Sequence, residues 1–419
     1  MKTVKSDQKY DLIVIGGGAS GLMAAGTAAT KGKQVLLLEK NDRLGNKLRI
    51  TGGGRCNITN ATFDRREFLA KFGRNEQFLY SPFAQFGVGD TFKFFESRGL
   101  PLVVEARQRT FPRSQKAVDV FRVMERFVTN KNVTIIKNNP VLKISADKDA
   151  GLIVSVKTKL GTYYAENFII ATGGSSHPKT GSTGDGFKWL IGLGHTVKKP
   201  TPSVVPLRVS DSWVKDLSGT SLSFMKITFF VDGRKAFSET GKILFTHFGL
   251  SGPLILNSAH RVADLLHEGA VTAKIDCYPD TDLGSLEKQV LKIFDQNKNK
   301  TFKNIAKEIT PKGLDQTLLN FRIISDSDRR VHEITRDERK QLTRFLKALP
   351  LSVEGLMSLD RAVISDGGVP LTEVDPKTMK SKLYRNLYLT GDILHINRPS
   401  GGYSLQLCWT TGYVAGQLN

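Results

Sequence analysis

Apolar positions along the chain keep two rhythms, and the change between them divides the molecule. The run DLIVI at 11–15 is continuous, as a strand buried on both faces requires, and so is QVLLLE at 34–39. Between them lie the glycine turn GGGASG at 16–21 and an alanine-rich segment reaching about Lys31. Strand, tight turn, helix and strand in about 30 residues form a βαβ unit with a parallel sheet. Residues 1–9 read as a short disordered tail leading into the first strand. Residues 65–127 read mainly as helices, with a strand-like break at LVV, 102–104. From 133 to 170 the pattern turns to strands and ends in the apolar run NFIIATGG, 167–174.

After His195 the rhythm becomes an alternation. Pro200, Pro202 and Pro206 punctuate β-branched stretches such as KITFFV, 226–231. Alternation and turns out to about Pro279 predict a small β-barrel or sandwich. Residues 283–349 return to helical spacing and are rich in Lys, Leu, Asp and Gln, which predicts a helical insert inside the β domain. The ending, NLYLTGD at 386–392 and SLQLCWTTGYVAG at 404–416, predicts a last strand, loop and helix that return to the first domain. The expected division is therefore 1–194 with 373–419, 195–280 with 350–372, and the insert 281–349.

A length of 419 residues is too great for one core. No run approaches the roughly 18 apolar residues of a membrane span, so no membrane partner is expected. Cys56, Cys277 and Cys408 make neither a CxxC pair nor a disulfide framework, which suits a reducing cytoplasm. His260 and His267 lack HExxH spacing, so no metal is expected either. Charge changes the picture more. With 61 basic and 40 acidic residues the chain carries +21, beyond the roughly 2–8 usual for a small domain. Such an excess attracts polyanions, of which nucleic acid is the commonest in a cytoplasm. It is concentrated between 41 and 140, where Arg107, Arg109, Arg113 and Lys116 surround Phe111, and again between 298 and 347.

Chemistry begins at Gly16, Gly18 and Gly21, a GxGxxG placed between strand and helix, with Glu39 closing the next strand. Such glycines let the backbone approach a pyrophosphate at the helix N-terminus, and the carboxylate accepts from ribose hydroxyls. Its partner is the distant Thr390-Gly391-Asp392, where a carboxylate again follows a strand. A dinucleotide held from both chain ends suits a resident FAD better than an exchangeable nicotinamide. Ala171-Thr172-Gly173 ends another strand, and here the sequence resembles the glutathione-reductase-like FAD proteins. With no second fingerprint, NAD(P)H would dock transiently as reductant.

The motifs NKLRITGGGRCN at 46–57, GSTGDG at 181–186, LFTHFGLSGP at 244–253 and Gly401-Gly402-Tyr403 together resemble the YhiN-like flavoproteins, also labelled BaiN-like or aminoacetone-oxidase-like. The likeness runs from Asp11 to Gly416. It implies an α/β fold: a Rossmann-like FAD-binding domain interrupted by a β-barrel domain that carries a helical insert. Carried over by residue, it places FAD against Gly16, Gly18, Ala19, Ser20, Gly21, Glu39 and Lys40. Lys47, Gly53, Val141, Thr172, Gly173, Gly391, Asp392, Gly402 and Tyr403 complete the expected cofactor set. The sequence departs from the family pattern at Asp392, His395-Ile396-Asn397 and Ser404, where an acidic Gly-Glu, Leu-Asp-Val and an Asn after Gly-Gly-Tyr are usual. Asp185 is read as fixing a turn.

The resemblance implies three activities: amine oxidation, reduction of a conjugated steroid alkene, and reduction of a uridine in large-subunit ribosomal RNA to dihydrouridine. The charge favours ribosomal RNA, or its assembly intermediate, as partner. A small-molecule oxidoreductase and an RNA-binding protein with structural FAD stay open. In the RNA reading Arg107, Arg109 and Arg113 face phosphates, their other reading being a solvated basic face; His247 faces the substrate or packs at the domain junction; and a group near the flavin protonates the uracil ring. Cys56 is the candidate acid, with Arg55 and a helix N-terminus favouring thiolate; filling space beneath the flavin is its other role.

Overall fold

A computed structural model describes residues 10–129, 131–362 and 364–419. The reading of residues 1–9 lies outside the described residues. Two compact units emerge, one formed by the chain up to Pro202 together with Ala362–Asn419, the other by Ser203–Arg361. Residues 195–202 and 362–372, assigned above to the barrel, thus sit with the first unit. The physical reason is a two-stranded sheet of Lys198–Ser203 with Ile364–Gly368, which lies in that unit up to Pro202.

The first unit is built on a five-stranded parallel sheet. β1 (Tyr10–Ile15) lies beside β2 (Val35–Leu38), with Ile15 opposite Leu38, and on its other side beside Ala165–Ile170. Val133–Ile136 extends the sheet past β2, and Leu387–Leu389 extends the other edge. Every β2 residue is buried, as the continuous apolar run requires. Helix α1 (Ala19–Thr30) connects β1 to β2 and packs against the C-terminal helix Tyr403–Gly416 through small residues. A Cβ on Gly412 would stand 2.4 Å from the Ser20 carbonyl oxygen, and one on Gly416 would stand 2.6 Å from that of Ala24. The C-terminal strand and helix therefore return to the first domain as the pattern predicted. Helix α2 (Asn46–Ile50), the short strand β3 (Thr59–Asn60) and helix α3 (Arg65–Ala70) follow β2.

The second unit holds a closed six-stranded antiparallel barrel, with Ser221–Val231 and Arg234–Thr246 as its longest hairpin. Along Ser221–Val231 the buried positions alternate through Leu222, Met225, Ile227 and Phe229, which fill the interior. Strands Val271–Asp276 and Leu349–Leu356 pair, with Ile275 opposite Leu349. Helices between 283 and 346 enter in that gap and have a core of their own around Val290, Phe294, Phe302 and Ile305. Within the stretch read as alternating strands, Pro253–Glu268 is instead a 16-residue helix. Among the described residues no helix is long and apolar enough to cross a membrane.

Candidate cofactor site

The turn after β1 is shaped by contacts only glycine permits. Gly16, at φ 107°, donates from N to the Leu38 carbonyl at 2.8 Å, and a Cβ there would lie 2.6 Å from the Ala171 carbonyl oxygen. A Cβ on Gly21 would lie 1.9 Å from the Gly16 carbonyl oxygen, so the first turn of α1 lies against the turn itself. Gly18 differs: a Cβ there would meet nothing within 4 Å, because its Cα borders a cavity. Gly18 is also the N-cap of α1 and supplies no side-chain acceptor, which leaves the first amides of the helix available to an anion.

Glu39 lines the same cavity beyond β2. Its Oε2 accepts from Gly17 N at 2.8 Å, and its Oε1 accepts from Asn41 N at 2.9 Å and Nδ2 at 2.7 Å. Three donors on one carboxylate leave acceptor capacity for ribose hydroxyls. Nearby Asn139 is 1% exposed, lines the cavity, and neither of its amide atoms has a partner. Thr172 Oγ1 is likewise buried and unpaired on the cavity wall. Each such group costs about 1–3 kcal/mol unless a ligand satisfies it. Helix amides with no side-chain cap, a carboxylate with spare acceptor capacity and unpaired polar groups in one cavity fit a flavin dinucleotide.

The opposite end is charged. Asp392, following the strand Leu387–Leu389, pairs with Arg398 and stands 3.8 Å from Lys47 Nζ, which donates to Ser176 Oγ at 2.5 Å. The Arg398 guanidinium also donates to the Ile396 carbonyl at 2.6 Å and to Ser404 Oγ at 3.2 Å, and its side chain is 1% exposed. Ser404 and Cys408, one turn apart on the C-terminal helix, line the same cavity. Burial lowers the Lys47 ammonium against the opposing pull of Asp392. Burial, reinforced by Asp392, pushes the Cys408 thiol up to about 12.

The family model described as HI0933-like protein Rossmann domain matches residues 10–418. The chain belongs to that family. It is an FAD-dependent oxidoreductase, in agreement with the flavoprotein resemblance read from the motifs. It is 31% identical over 409 residues to the 3-dehydro-bile acid delta(4,6)-reductase of Clostridium scindens, covering 96% of this chain and 97% of that one. It is 26% identical over 412 residues to the ribosomal RNA dihydrouridine synthase of Haemophilus influenzae, covering 97% and 98%. Among solved structures, 3-ketosteroid-delta4-(5alpha)-dehydrogenase from Rhodococcus jostii RHA1 matches with a TM-score of 0.53 at 14% identity, over 99% of this chain and 97% of that one. That likeness concerns the fold alone.

In this HI0933-like chain most of the expected cofactor residues meet in one cavity. Gly16, Gly18, Ala19 and Ser20 line it at the turn, Glu39 and Lys40 after β2, and Lys47, Val141, Thr172, Gly173 and Asp392 elsewhere on its wall. Lys40 spends its ammonium on Asp185 Oδ2, at 2.7 Å, and Asp185 opens a helix, Asp185–Gly192. Gly21, Gly53, Gly391, Gly402 and Tyr403 are not on that wall. Gly391 packs on Ser20, and a Cβ on Gly402 would stand 2.2 Å from Thr59 C, so both serve backbone packing. The Tyr403 ring lies 4.7 Å from that of Phe68, within an aromatic cluster. Gly53 is exposed at φ 67°.

Cys56 requires a correction. It is 0% exposed, lies off the cavity wall, and burial drives its thiol far above the usual range, away from thiolate. Arg55 does not oppose this, because its guanidinium is paired with Glu105 and stacked 4.1 Å over Phe111. Arg107 and Arg113 are exposed and Arg109 half-buried, all in the first unit. His247 is exposed in the barrel unit, edge-on to Phe248. Asn41, Asn139, Arg398 and Ser404 were not singled out as contacts from sequence.

Proposed function

We propose that this flavoenzyme reduces a specific uridine of large-subunit ribosomal RNA to dihydrouridine in the cytoplasm, with NAD(P)H as electron donor. The observation that carries the reading is the charge of +21. A neutral or anionic small substrate does not need so large an excess, and a polyanionic one is drawn by it. The names of the two relatives share a chemistry, saturation of a carbon–carbon double bond conjugated with a carbonyl. Uracil contains such a bond at C5–C6.

FAD, when bound, supplies the hydride for that bond. The chain's task is to hold the cofactor and receive the ring. The free amides of α1 and the bare Gly18 seat the pyrophosphate, and Glu39 with Asn139 grips the adenosine half. Lys47 and Asp392 face that end of the cavity, and Arg398 holds Asp392 from behind the wall, which fixes a carboxylate and an amine beside the occupant. Uridine must leave its stack to reach the cavity, at a cost of a few kcal/mol.

Deleting the gene and mapping ribosomal RNA by mass spectrometry tests the proposal. Loss of one dihydrouridine supports it, and survival of every dihydrouridine sinks it. A second reading, reduction of a small conjugated ketone, is favoured by the 31% identity to the bile-acid reductase. Reduced enzyme that is reoxidised by a 3-oxo-Δ4 steroid faster than by ribosomal RNA would favour that reading.

A further inference from the structure

Three loops of the first unit meet on one side chain. Asn60, buried at the end of β3, donates from Nδ2 to the carbonyls of Arg107 at 3.1 Å and Gly401 at 3.2 Å. Beside it Ala61 N donates to the Gln108 carbonyl at 2.6 Å. The loop so held contains two consecutive non-glycine residues in the left-handed region, Arg107 at φ 62° and Gln108 at φ 57°. That conformation is costly for residues with a Cβ and persists only where surrounding structure imposes it. Both residues are exposed.

Next to this loop, in the turn between β3 and α3, Phe63 is 62% exposed. Its ring is propped against Phe92 with centroids 5.2 Å apart, which fixes an aromatic side chain in solvent. Exposed Arg65 and Arg66 follow after Asp64. Of the acids in these segments, Glu105 is paired with Arg55, while Asp64, which caps α3 by accepting from Glu67 N at 2.8 Å, and Glu67 stand beside Arg65 and Arg66. A lone exposed phenylalanine is ordinary. One that precedes two arginines by two and three residues, and that follows within three residues the Asn60 and Ala61 bonds to the strained Arg107–Gln108 loop, has the composition of a single-strand nucleic-acid platform.

We infer that Phe63, with Arg65, Arg66 and Arg107 around it, is the docking point for the single-stranded RNA that carries the reacting uridine. The ring stacks on an unpaired neighbouring base, and the guanidinium groups hold the flanking phosphates. This rests on the RNA reading proposed above. The platform is joined to the site through Asn60: Gly401 stands at the entry to the C-terminal helix, whose Ser404, Leu405 and Cys408 line the cofactor cavity.

The test uses the full FAD-loaded protein and a labelled uridine-containing single-stranded RNA of about 12 nucleotides, within the usual site size. Phe63→Ala is expected to weaken binding about tenfold or more without changing the salt slope, and Phe63→Trp to restore it. Arg107→Ala should lower the slope of log affinity against log salt by about 1. Retained flavin absorbance and unchanged bleaching by NAD(P)H show that each variant is folded. Wild-type affinity in Phe63→Ala, or equal loss in Phe63→Ala and Phe63→Trp, overturns the platform. Polyglutamate binding as tightly as RNA, without dependence on Phe63, also overturns it, in favour of an acidic protein partner. If the wild-type enzyme reduces ribosomal RNA while Phe63→Ala binds normally, only the docking point falls. If the wild type shows no salt-sensitive RNA binding, the functional reading falls with it.

Discussion

Glu39 and Asp392 occupy equivalent places: each is a carboxylate just beyond a strand of the parallel sheet, on the wall of one cavity. Their surroundings are opposite. Glu39 is held by three uncharged donors, whereas Asp392 is paired with Arg398 and has Lys47 Nζ at 3.8 Å. The first environment suits neutral hydroxyls and disfavours a phosphate at that ribose. The second ties the same residue class into an ion pair with a buried guanidinium that lies off the cavity wall. A carboxylate after a strand therefore does not define a ribose site until its partners are known.

The largest effect should come from removing the guanidinium. Arg398→Ala leaves Asp392 with only the more distant Lys47, and breaking a buried ion pair of this kind costs about 3 kcal/mol or more. A lowered urea midpoint for the first unit is expected, with much of it recovered in the double variant Arg398→Ala, Asp392→Asn. No recovery would mean that Arg398 acts through its bonds to Ile396 and Ser404 instead. Glu39→Gln can keep the bond from Gly17 N but turns its amide nitrogen toward the Asn41 donors, so it should cost folding about 1–3 kcal/mol. It should weaken FAD by about 1.5–3 kcal/mol, roughly ten- to a hundredfold, the value of a hydrogen bond to a charged group. Titration of the flavin-free protein with FAD checks this, and unchanged affinity would reduce Glu39 to a staple for the turn.

What could be read beforehand follows the range of each interaction. The βαβ unit was visible because DLIVI, GGGASG and VLLL each declare themselves within a few residues. The barrel was visible in KITFFV for the same reason. The helix Pro253–Glu268 was missed although Leu254, Ile255, Ser258, Ala259, Val262 and Leu265 recur at helical spacing on its buried side. Two small residues thin that stripe, and Pro253 reads as a turn when it is the first residue of the helix. Asn139 reaches the site only because Val133–Ile136 pairs with β2, which lets Asn139 N donate to the Glu39 carbonyl at 3.0 Å. Arg398 depends on a loop that closes back on Asp392 and Ser404. Neither relation leaves a local pattern. Cys56 shows the converse error, since a neighbouring arginine in sequence is engaged elsewhere in space.

Cys56→Ala sharpens that point with a smaller effect. The thiol is fully buried, so its loss should cost about 1 kcal/mol of packing. FAD content, turnover and the pH profile of turnover should match the wild type. A fall in turnover with FAD retained would return the thiol to the mechanism.

The smallest effect concerns a case between Glu39 and Asp392. Asp185 is paired with Lys40, with Thr183 Oγ1 at 2.7 Å. Burial alone would raise its carboxyl, but the hydrogen bonds from Lys40 and Thr183, together with the charges of Lys40 and Lys188, outweigh burial and hold it below the usual carboxylate range. A carboxyl depressed in the folded state contributes stability that is present above its unfolded pKa and lost as pH falls through its folded one. Lys40→Met removes a main cause of the depression. The stability gap between wild type and Lys40→Met should therefore be widest near pH 7 and close in acid, below the ordinary carboxylate range. Both side chains are about a third exposed, so the gap should be only about 0.2–1 kcal/mol. Urea midpoints of the flavin-free protein at neutral and acid pH measure it. A gap independent of pH would show that Lys40 stabilises by packing its stem along the cavity wall, and Asp185 would then resemble Glu39 rather than Asp392.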